Sequence, residues 1–147
     1  MIKPVIIFGS GGLAKAAVEI FEGNKVVVYG FLDDDPKRHS QSINNITVLG
    51  AMDDSEYLKV IGEQCDAFIA LDDNALKASV VQSLRKKRNV MPVNAIHNRA
   101  SIASSAELHH GSLIDQYAVI GADAKVGNHC ILRAGSVVDY ECEIGDF

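Results

Sequence analysis

Few cysteines, no long apolar run and no excess of positive charge mark this chain, and each shortage closes off a class of protein. Cysteine stands only at 65, 130 and 142, an odd number without a C-x-x-C pair. Neither a disulfide framework nor a zinc site is expected from that spacing, and reduced thiols are the simplest reading. No stretch approaches the roughly eighteen consecutive apolar residues of a spanning helix, so no membrane span is expected. The amino terminus, Met1-Ile-Lys-Pro-Val-Ile-Ile-Phe-Gly9, runs straight into a strand-like pattern. It lacks the apolar region and small-residue site of a cleavable leader, which points to the cytoplasm. A formal net charge of −5 argues against nucleic-acid binding. The one basic run, Arg85-Lys-Lys-Arg88, sits where a helix should end and reads as a partner for the negative end of its dipole.

What is present fits a soluble globular chain: 147 residues, 48% hydrophobic and 22% charged, enough for one domain plus a repeat module. In the first half, apolar runs over 4–8, 25–32, 46–49 and 66–71 read as strands. Helical stripes lie over 12–21, where Gly23 is the expected stop, over 56–61 and over 74–88. Asp53, Asp54 or Ser55 is the expected cap of the second helix, and Asp72 or Asn74 that of the third. Strands alternating with helices imply a parallel sheet with right-handed crossovers.

Gly9-Ser-Gly-Gly-Leu-Ala14 fits G-x-G-x-x-G/A at the first strand-to-helix turn. Glycines there permit a tight turn and close backbone approach, and the helix amino terminus offers free N–H groups to a phosphate. A tight turn that binds nothing is the alternative. Asp33 stands at the end of the second strand, where an acidic residue can grip a ribose; Asp33-Asp-Asp-Pro36 equally fits a solvated turn. A third loop, Asp72-Asp-Asn74, leaves the same edge of the sheet, the edge at which such folds bind ligands.

From Ser101 onward the α/β pattern gives way to another. Aliphatic residues recur at Ile102, Leu108, Ile114, Ile120, Val126, Leu132, Val138 and Ile144, every interval being six. A small residue precedes each by two, from Ala100 to Cys142. Period-two strands would not hold one phase so long, whereas a hexapeptide β-helix stacks one inward aliphatic per rung into an apolar column.

Together the halves resemble the bacterial sugar acetyltransferases that include the sialic acid O-acetyltransferases and the UDP-aminosugar N-acetyltransferases of bacillosamine-type pathways. The motifs carrying the resemblance are Ile7-Phe-Gly-Ser-Gly-Gly-Leu-Ala-Lys15, Gly30-Phe-Leu-Asp-Asp-Asp-Pro36, Phe68-Ile-Ala-Leu-Asp-Asp-Asn74, Asn94-Ala-Ile-His-Asn98 and the stretch from Ala134 to Phe147. The resemblance implies an α/β chain: a small Rossmann-like parallel-sheet domain over 1–96, then the first coils of a left-handed parallel β-helix over 97–147. It further implies a homotrimer that uses acetyl-CoA and a nucleotide-sugar, most often UDP-linked, in surface glycan biosynthesis. Gly9, Ser10, Gly11 and Gly12 would face the diphosphate or sugar, and Asp33 and Asp34 the base and ribose, with Asn74 nearby. Glu141 matches the acidic residue that orients the catalytic base, and no metal is implied.

The family's base is a histidine, and Tyr140 holds its position here. A phenol, with an ordinary pKa of about 10, is a poor general base at neutral pH, and losing such a base costs about 10²–10⁴-fold in rate. The glycine-loop histidine of the family is Leu13, and its third-loop Gly-Asn is Asp72-Asp73. His110 lies thirty residues before Tyr140, not a multiple of the eighteen-residue coil, and is expected on another face. His39, His97, His109 and His129 have no better claim. Ala100 to Phe147 holds about two and two-thirds coils. The family continues with coils that complete the acetyl-CoA site, so an incomplete array is expected. Three functions follow: a nucleotide-sugar acetyltransferase, impaired or intact; a nucleotide-sugar-binding trimer without catalysis; and an NAD-dependent oxidoreductase. The last rests on the glycine loop and Asp33 alone, since the repeats supply no second catalytic domain.

Overall fold

A computed structural model describes residues 2–147, which form two compact units, 2–92 and 93–147. The N-terminal unit runs β1 (Val5–Phe8), α1 (Gly12–Gly23), β2 (Val28–Leu32), β3 (Ser42–Ile43), β4 (Ile46–Gly50), α2 (Ser55–Leu58), β5 (Asp66–Ile69) and α3 (Asn74–Arg88). The sheet has the order β3-β4-β2-β1-β5, parallel except for the β3–β4 pair. Strand β1 is buried on both faces, as its unbroken apolar run requires. Ile6 and Phe8 pack with Leu58 of α2 and Val81 and Leu84 of α3. On the opposite face Phe21 of α1 meets Phe68 edge-on, with ring centroids 5.7 Å apart. The chain leaves β1 toward β2 and β4 and returns to β5 on the other side, so a crevice opens beyond the carboxyl end of β1.

Several local expectations shift. Helix α1 continues through Gly23, and the left-handed residue that ends the turn is Lys25, at φ 61°. Asp54 caps α2, one of its three candidates, whereas α3 is capped by Asp73, which accepts from the Leu76 N–H at 2.9 Å. The short hairpin of β3 and β4 was not expected. Asn44 and Asn45, at φ 51° and 66°, make its two-residue turn, a conformation asparagine tolerates with a smaller penalty than most residues.

The second unit is a left-handed parallel β-helix. Its two-residue strands are β6 (Ala95–Ile96), β7 (Ser101–Ile102), β8 (Glu107–Leu108), β9 (Leu113–Ile114), β10 (Val119–Ile120), β11 (Lys125–Val126), β12 (Ile131–Leu132), β13 (Val137–Val138) and β14 (Glu143–Ile144). They form three parallel sheets, β12-β9-β6, β13-β10-β7 and β14-β11-β8, so that residues eighteen apart pair. The array begins one rung earlier than Ile102, because Ala95–Ile96 pairs with Leu113–Ile114. That pairing also places 93–96 with the repeats instead of with the preceding unit. The sixfold aliphatics from Ile102 to Val138 form the core as expected, with Ile114, Ile120 and Val126 buried and Ala118, Ala124 and Cys130 between them, whereas Ile144 in the last coil is exposed.

A second series of period six lies at the corners. Gly111, Tyr117, Asp123, His129, Gly135, Glu141 and Phe147 all have φ between 58° and 76°. From Gly111 onward the coils thus turn through left-handed residues. Polar side chains tie one coil to the next in the same register. Asn94 Oδ1 accepts from the Ser112 N–H, and Ser112 Oγ from that of Cys130, at 2.8 and 3.0 Å. Asn128 Oδ1 and Asp146 Oδ1 do the same for His110 and Asn128, at 3.0 and 2.8 Å. Such acceptors satisfy corner N–H groups that the short strands leave outside their ladders.

Candidate functional site

The glycine loop joins β1 to α1 at the crevice. Gly9 has φ 99°, and a Cβ added there would lie 2.5 Å from the Ala70 carbonyl oxygen. Glycine is therefore required both by the backbone conformation and by the approach of the neighbouring chain. Gly11 and Gly12 face open space, and no side chain caps the amino terminus of α1. That end also has no acidic residue in its first turn, so its positive dipole is unopposed from within the helix.

Ser10 is buried, and its hydroxyl donates to Asp33 Oδ2 at 2.5 Å. The other oxygen of Asp33 accepts from the Asp35 N–H at 2.9 Å, and the Asp33 N–H donates to the Gly50 carbonyl at 2.9 Å. Asp33 thus joins the loop after β2 to the glycine loop, with both its oxygens engaged within the fold. His39 donates from Nε2 to the Asp33 carbonyl oxygen at 2.6 Å, a direction fixed because a carbonyl only accepts.

Arg38 completes the arrangement, and sequence reasoning missed it. It ends a 3₁₀ turn over Pro36–Arg38 that Asp35 caps through the Lys37 N–H. Its Nη1 donates to the Ser10 carbonyl at 3.0 Å and to Ser10 Oγ at 3.2 Å. Its ion pair with Asp35 is long, at 3.9 Å. Arg38, Lys15, Gln41 and Ile43 line, with Gly11 and Gly12, an open cleft of about 420 Å³. The hairpin that supplies Gln41 and Ile43 makes one wall of this cleft. Two cations beside an uncapped helix amino terminus make it attractive to an anion.

Asp34 lies elsewhere. One of its oxygens accepts from the Met52 N–H at 2.9 Å, and it lines a separate cavity of about 170 Å³ with Asp53, Ser79 and Ser83. The rest of that lining is apolar, including Phe8 and Leu84. Asn74 is exposed in the first turn of α3 and shares no hydrogen bond with the Ser10–Asp33–Arg38 network among the described residues. The structure therefore brings Ser10, Asp33 and the glycines together, sets Asp34 on an adjoining cavity, and leaves Asn74 at the same sheet edge without a contact to either.

Tyr140 and Glu141 occupy the corner between β13 and β14. Tyr140 is 66% exposed, and among the described residues its hydroxyl has no hydrogen-bond partner. Its N–H donates to Asp139 Oδ1 at 2.8 Å, and the Glu141 N–H donates to the Ala122 carbonyl at 2.8 Å. His110 stacks at the corner of Asn128 and Asp146, a different column from that of Tyr140. Among the described residues no group of three or more His, Cys, Asp or Glu could hold a metal, and no helix is long and apolar enough to cross a membrane.

Fold and glycine-loop site together define a two-part chain in which a Rossmann-like unit is followed by a hexapeptide β-helix. The family described as PglD N-terminal domain matches residues 4–84, and the bacterial transferase hexapeptide (six repeats) matches residues 105–139. The chain belongs to the PglD N-terminal domain family, among the bacterial sugar acetyltransferases. One solved relative is a histidine-to-alanine variant of GDP-perosamine N-acetyl transferase from Caulobacter crescentus in complex with CoA and GDP-perosamine. It is 29% identical, with a TM-score of 0.86 over 99% of this chain and 67% of that one. The acetyltransferase domain of PglB from Neisseria gonorrhoeae FA1090, in complex with acetyl coenzyme A, shares the fold at 23% identity, TM-score 0.86, over 99% and 69%. WeeI from Acinetobacter baumannii AYE shares it at 20% identity, TM-score 0.82, over 98% and 67%.

Proposed function

We propose that this protein transfers an acetyl group from acetyl-CoA to the amine or hydroxyl of a sugar carried on a nucleoside diphosphate. The carrying observation is the cleft in which Arg38 and Lys15 flank the open Gly11–Gly12 turn at the amino terminus of α1. A diphosphate supplies the anion such a cleft calls for, and Arg38 can present two N–H groups to it at once. In the reaction the acceptor's lone pair attacks the thioester carbonyl, the carbon–sulfur bond breaks, and the acceptor's proton must pass to a base. Tyr140 and Glu141 stand where the family resemblance puts that base and its orienting acid. The relative with CoA and GDP-perosamine supports the reading, as does the acetyl-CoA complex of PglB. Of the nucleotides, UDP comes from the family resemblance and GDP from that relative. A homotrimer and a role in surface glycan synthesis belong to the same proposal.

A second reading, nucleotide-sugar binding without catalysis, is favoured by one observation. The exposed Tyr140 hydroxyl has no partner among the described residues that could draw off its proton. Thiol release from acetyl-CoA, measured with UDP- and GDP-linked aminosugars for the wild type and Tyr140→His, separates the two. Turnover in the wild type supports the enzyme. Turnover only in the variant, at a rate higher by about 10²-fold or more, supports the binding protein. Thiol release by neither sinks the acetyltransferase.

A further inference from the structure

We infer that the amino edge of the N-terminal sheet docks on an anionic bilayer surface, through the basic end of α3 and the apolar residues beside it. The inference goes beyond the acetyl-transfer reading and does not depend on it. Strands β1, β2 and β5 are parallel, so their amino ends share one edge. Lys3, Lys25, Lys59 and the run from Arg85 to Arg88 lie there. Against them stand Glu22, Glu56, Glu63 and Asp66, of which Glu56 pairs with Lys59 and Glu63 with Arg88. The aspartates at 33–35, 53–54 and 72–73 stand at the opposite edge, in the loops that follow β2, β4 and β5. The net charge of −5 therefore conceals a separation of sign across the unit.

The needs of the helix end explain one of these cations. Arg88 donates to the carbonyls of Ile61 and Lys59, at 3.0 and 2.9 Å. Arg85, Lys86 and Lys87 are exposed, and among the described residues their side chains make no hydrogen bond or ion pair. Lys86 and Lys87 border an open groove of about 290 Å³ with Ser79, Gln82 and Ser83. Cations so close together repel one another, and an anionic partner relieves that repulsion.

The apolar residues at the same edge choose that partner. Ile2 and Val27 are each 68% exposed, and Tyr29 is 52% exposed. They are three of the four large apolar side chains exposed on this unit among the described residues, and all stand before or near the amino ends of β1 and β2. A single-stranded nucleic acid would call for several stacking aromatics. A bilayer offers phosphates to the cations and acyl chains to the aliphatics, and a tyrosine favours the boundary between the two. Docked by this edge, the unit leaves the cleft over Gly11 and Gly12, beyond the carboxyl end of β1, open to water.

The test is flotation of the full chain with vesicles of phosphatidylcholine alone and with about 30% phosphatidylglycerol added. Binding is expected to the anionic vesicles only, and it should fall steeply as salt rises from about 0.05 M to about 0.5 M. Each cation at an anionic surface contributes about fivefold to affinity. Arg85→Gln, Lys86→Gln and Lys87→Gln combined should therefore weaken binding about a hundredfold. Val27→Ser should weaken it about three- to tenfold without changing its salt dependence. All four positions are exposed, so thermal melts should match that of the wild type. No binding to the anionic vesicles, equal binding to the neutral ones, or full binding by the triple variant overturns the inference. Tighter binding of a single-stranded RNA overturns it in favour of a nucleic acid. Self-association that the triple variant loses overturns it in favour of a second copy of the chain.

Discussion

In the N-terminal unit Phe8, Phe31 and Phe68 are fully buried between two layers of helix and a five-stranded sheet. In the repeat unit the fully buried side chains are aliphatic, led by Leu113, Ile114 and Ile120, and no helix covers them. The first arrangement packs unlike pieces together once; the second stacks like pieces in register. An irregular core leaves loops free to specialise, and the glycine loop, the Asp33 turn and the hairpin all do so around one cleft. A stacked core assigns each residue a role fixed by its phase, so its corners carry structure first.

The largest effects should come from the two cores. Phe68→Ala is expected to cost about 3–5 kcal/mol, and Ile120→Ala about 2–5 kcal/mol, each measured by denaturant unfolding. The two should differ in reach. Ile120 lies between Ile102 and Val138 in its column, so its loss should raise amide exchange in the coils above and below. Exchange confined to the mutated rung would break the picture of a cooperative stack.

Glycine substitutions come next, and they separate backbone conformation from space. Gly9→Ala must place a methyl against the Ala70 carbonyl, and Gly111→Ala must place one against His129 Nδ1, both at positive φ. Each should cost about 2–4 kcal/mol from left-handed strain plus overpacking. Gly135→Ala shares the conformation, at φ 76°, but meets nothing within 4 Å, and about 1 kcal/mol is expected. Equal costs at 111 and 135 would show that the crowding over His129 relaxes freely.

These positions also show what could be read in advance. The sixfold aliphatics were legible because one inward residue per rung leaves a fixed period on the chain. The left-handed corners share that period, yet they hold tyrosine, aspartate, histidine, glutamate and phenylalanine as well as glycine, so residue type conceals them. The first rung escaped because Ala95–Ile96 looks like the end of the preceding domain until it pairs with β9. The glycine loop was legible because Gly9, Gly11 and Gly12 fall together at one strand-to-helix turn. Arg38 was not, because its partner Ser10 lies twenty-eight residues away in the chain. Asp33 is legible as the acidic residue that ends β2; that its oxygens hold Ser10 and Asp35 is a role that no spacing announces.

Two serines compare polar groups at different depths. Ser112 Oγ accepts from the Cys130 N–H and donates to the Gly127 carbonyl at 3.2 Å, entirely within the repeat core. Ser112→Ala should cost about 1–3 kcal/mol, since it strands a buried donor. Ser10→Ala frees Asp33, which is half-buried and can take up water, so a cost of about 1 kcal/mol is expected. Thermal melts rank the pair; a reversed order would mean that the Asp33 network, not the coil ladder, is the more tightly closed to solvent.

The smallest effect contrasts buried Cys65 with exposed Cys142 and depends on pH. Burial pushes the Cys65 thiol above its ordinary value of 9.0; the charge of Asp66 adds to the shift, and Lys3 opposes it. The unfolded chain therefore gives up this proton at lower pH than the folded one. Below the unfolded value both states hold the proton, and the contribution of Cys65 to stability is fully present. As pH climbs past that value the unfolded state ionises first, so stability declines until the folded thiol ionises as well. Cys65→Ala removes the titration, and between pH 8 and pH 10 it should lose less stability in urea than the wild type does. Parallel losses would mean that the thiol meets water as freely in the N-terminal core as Cys142 does on the repeat surface.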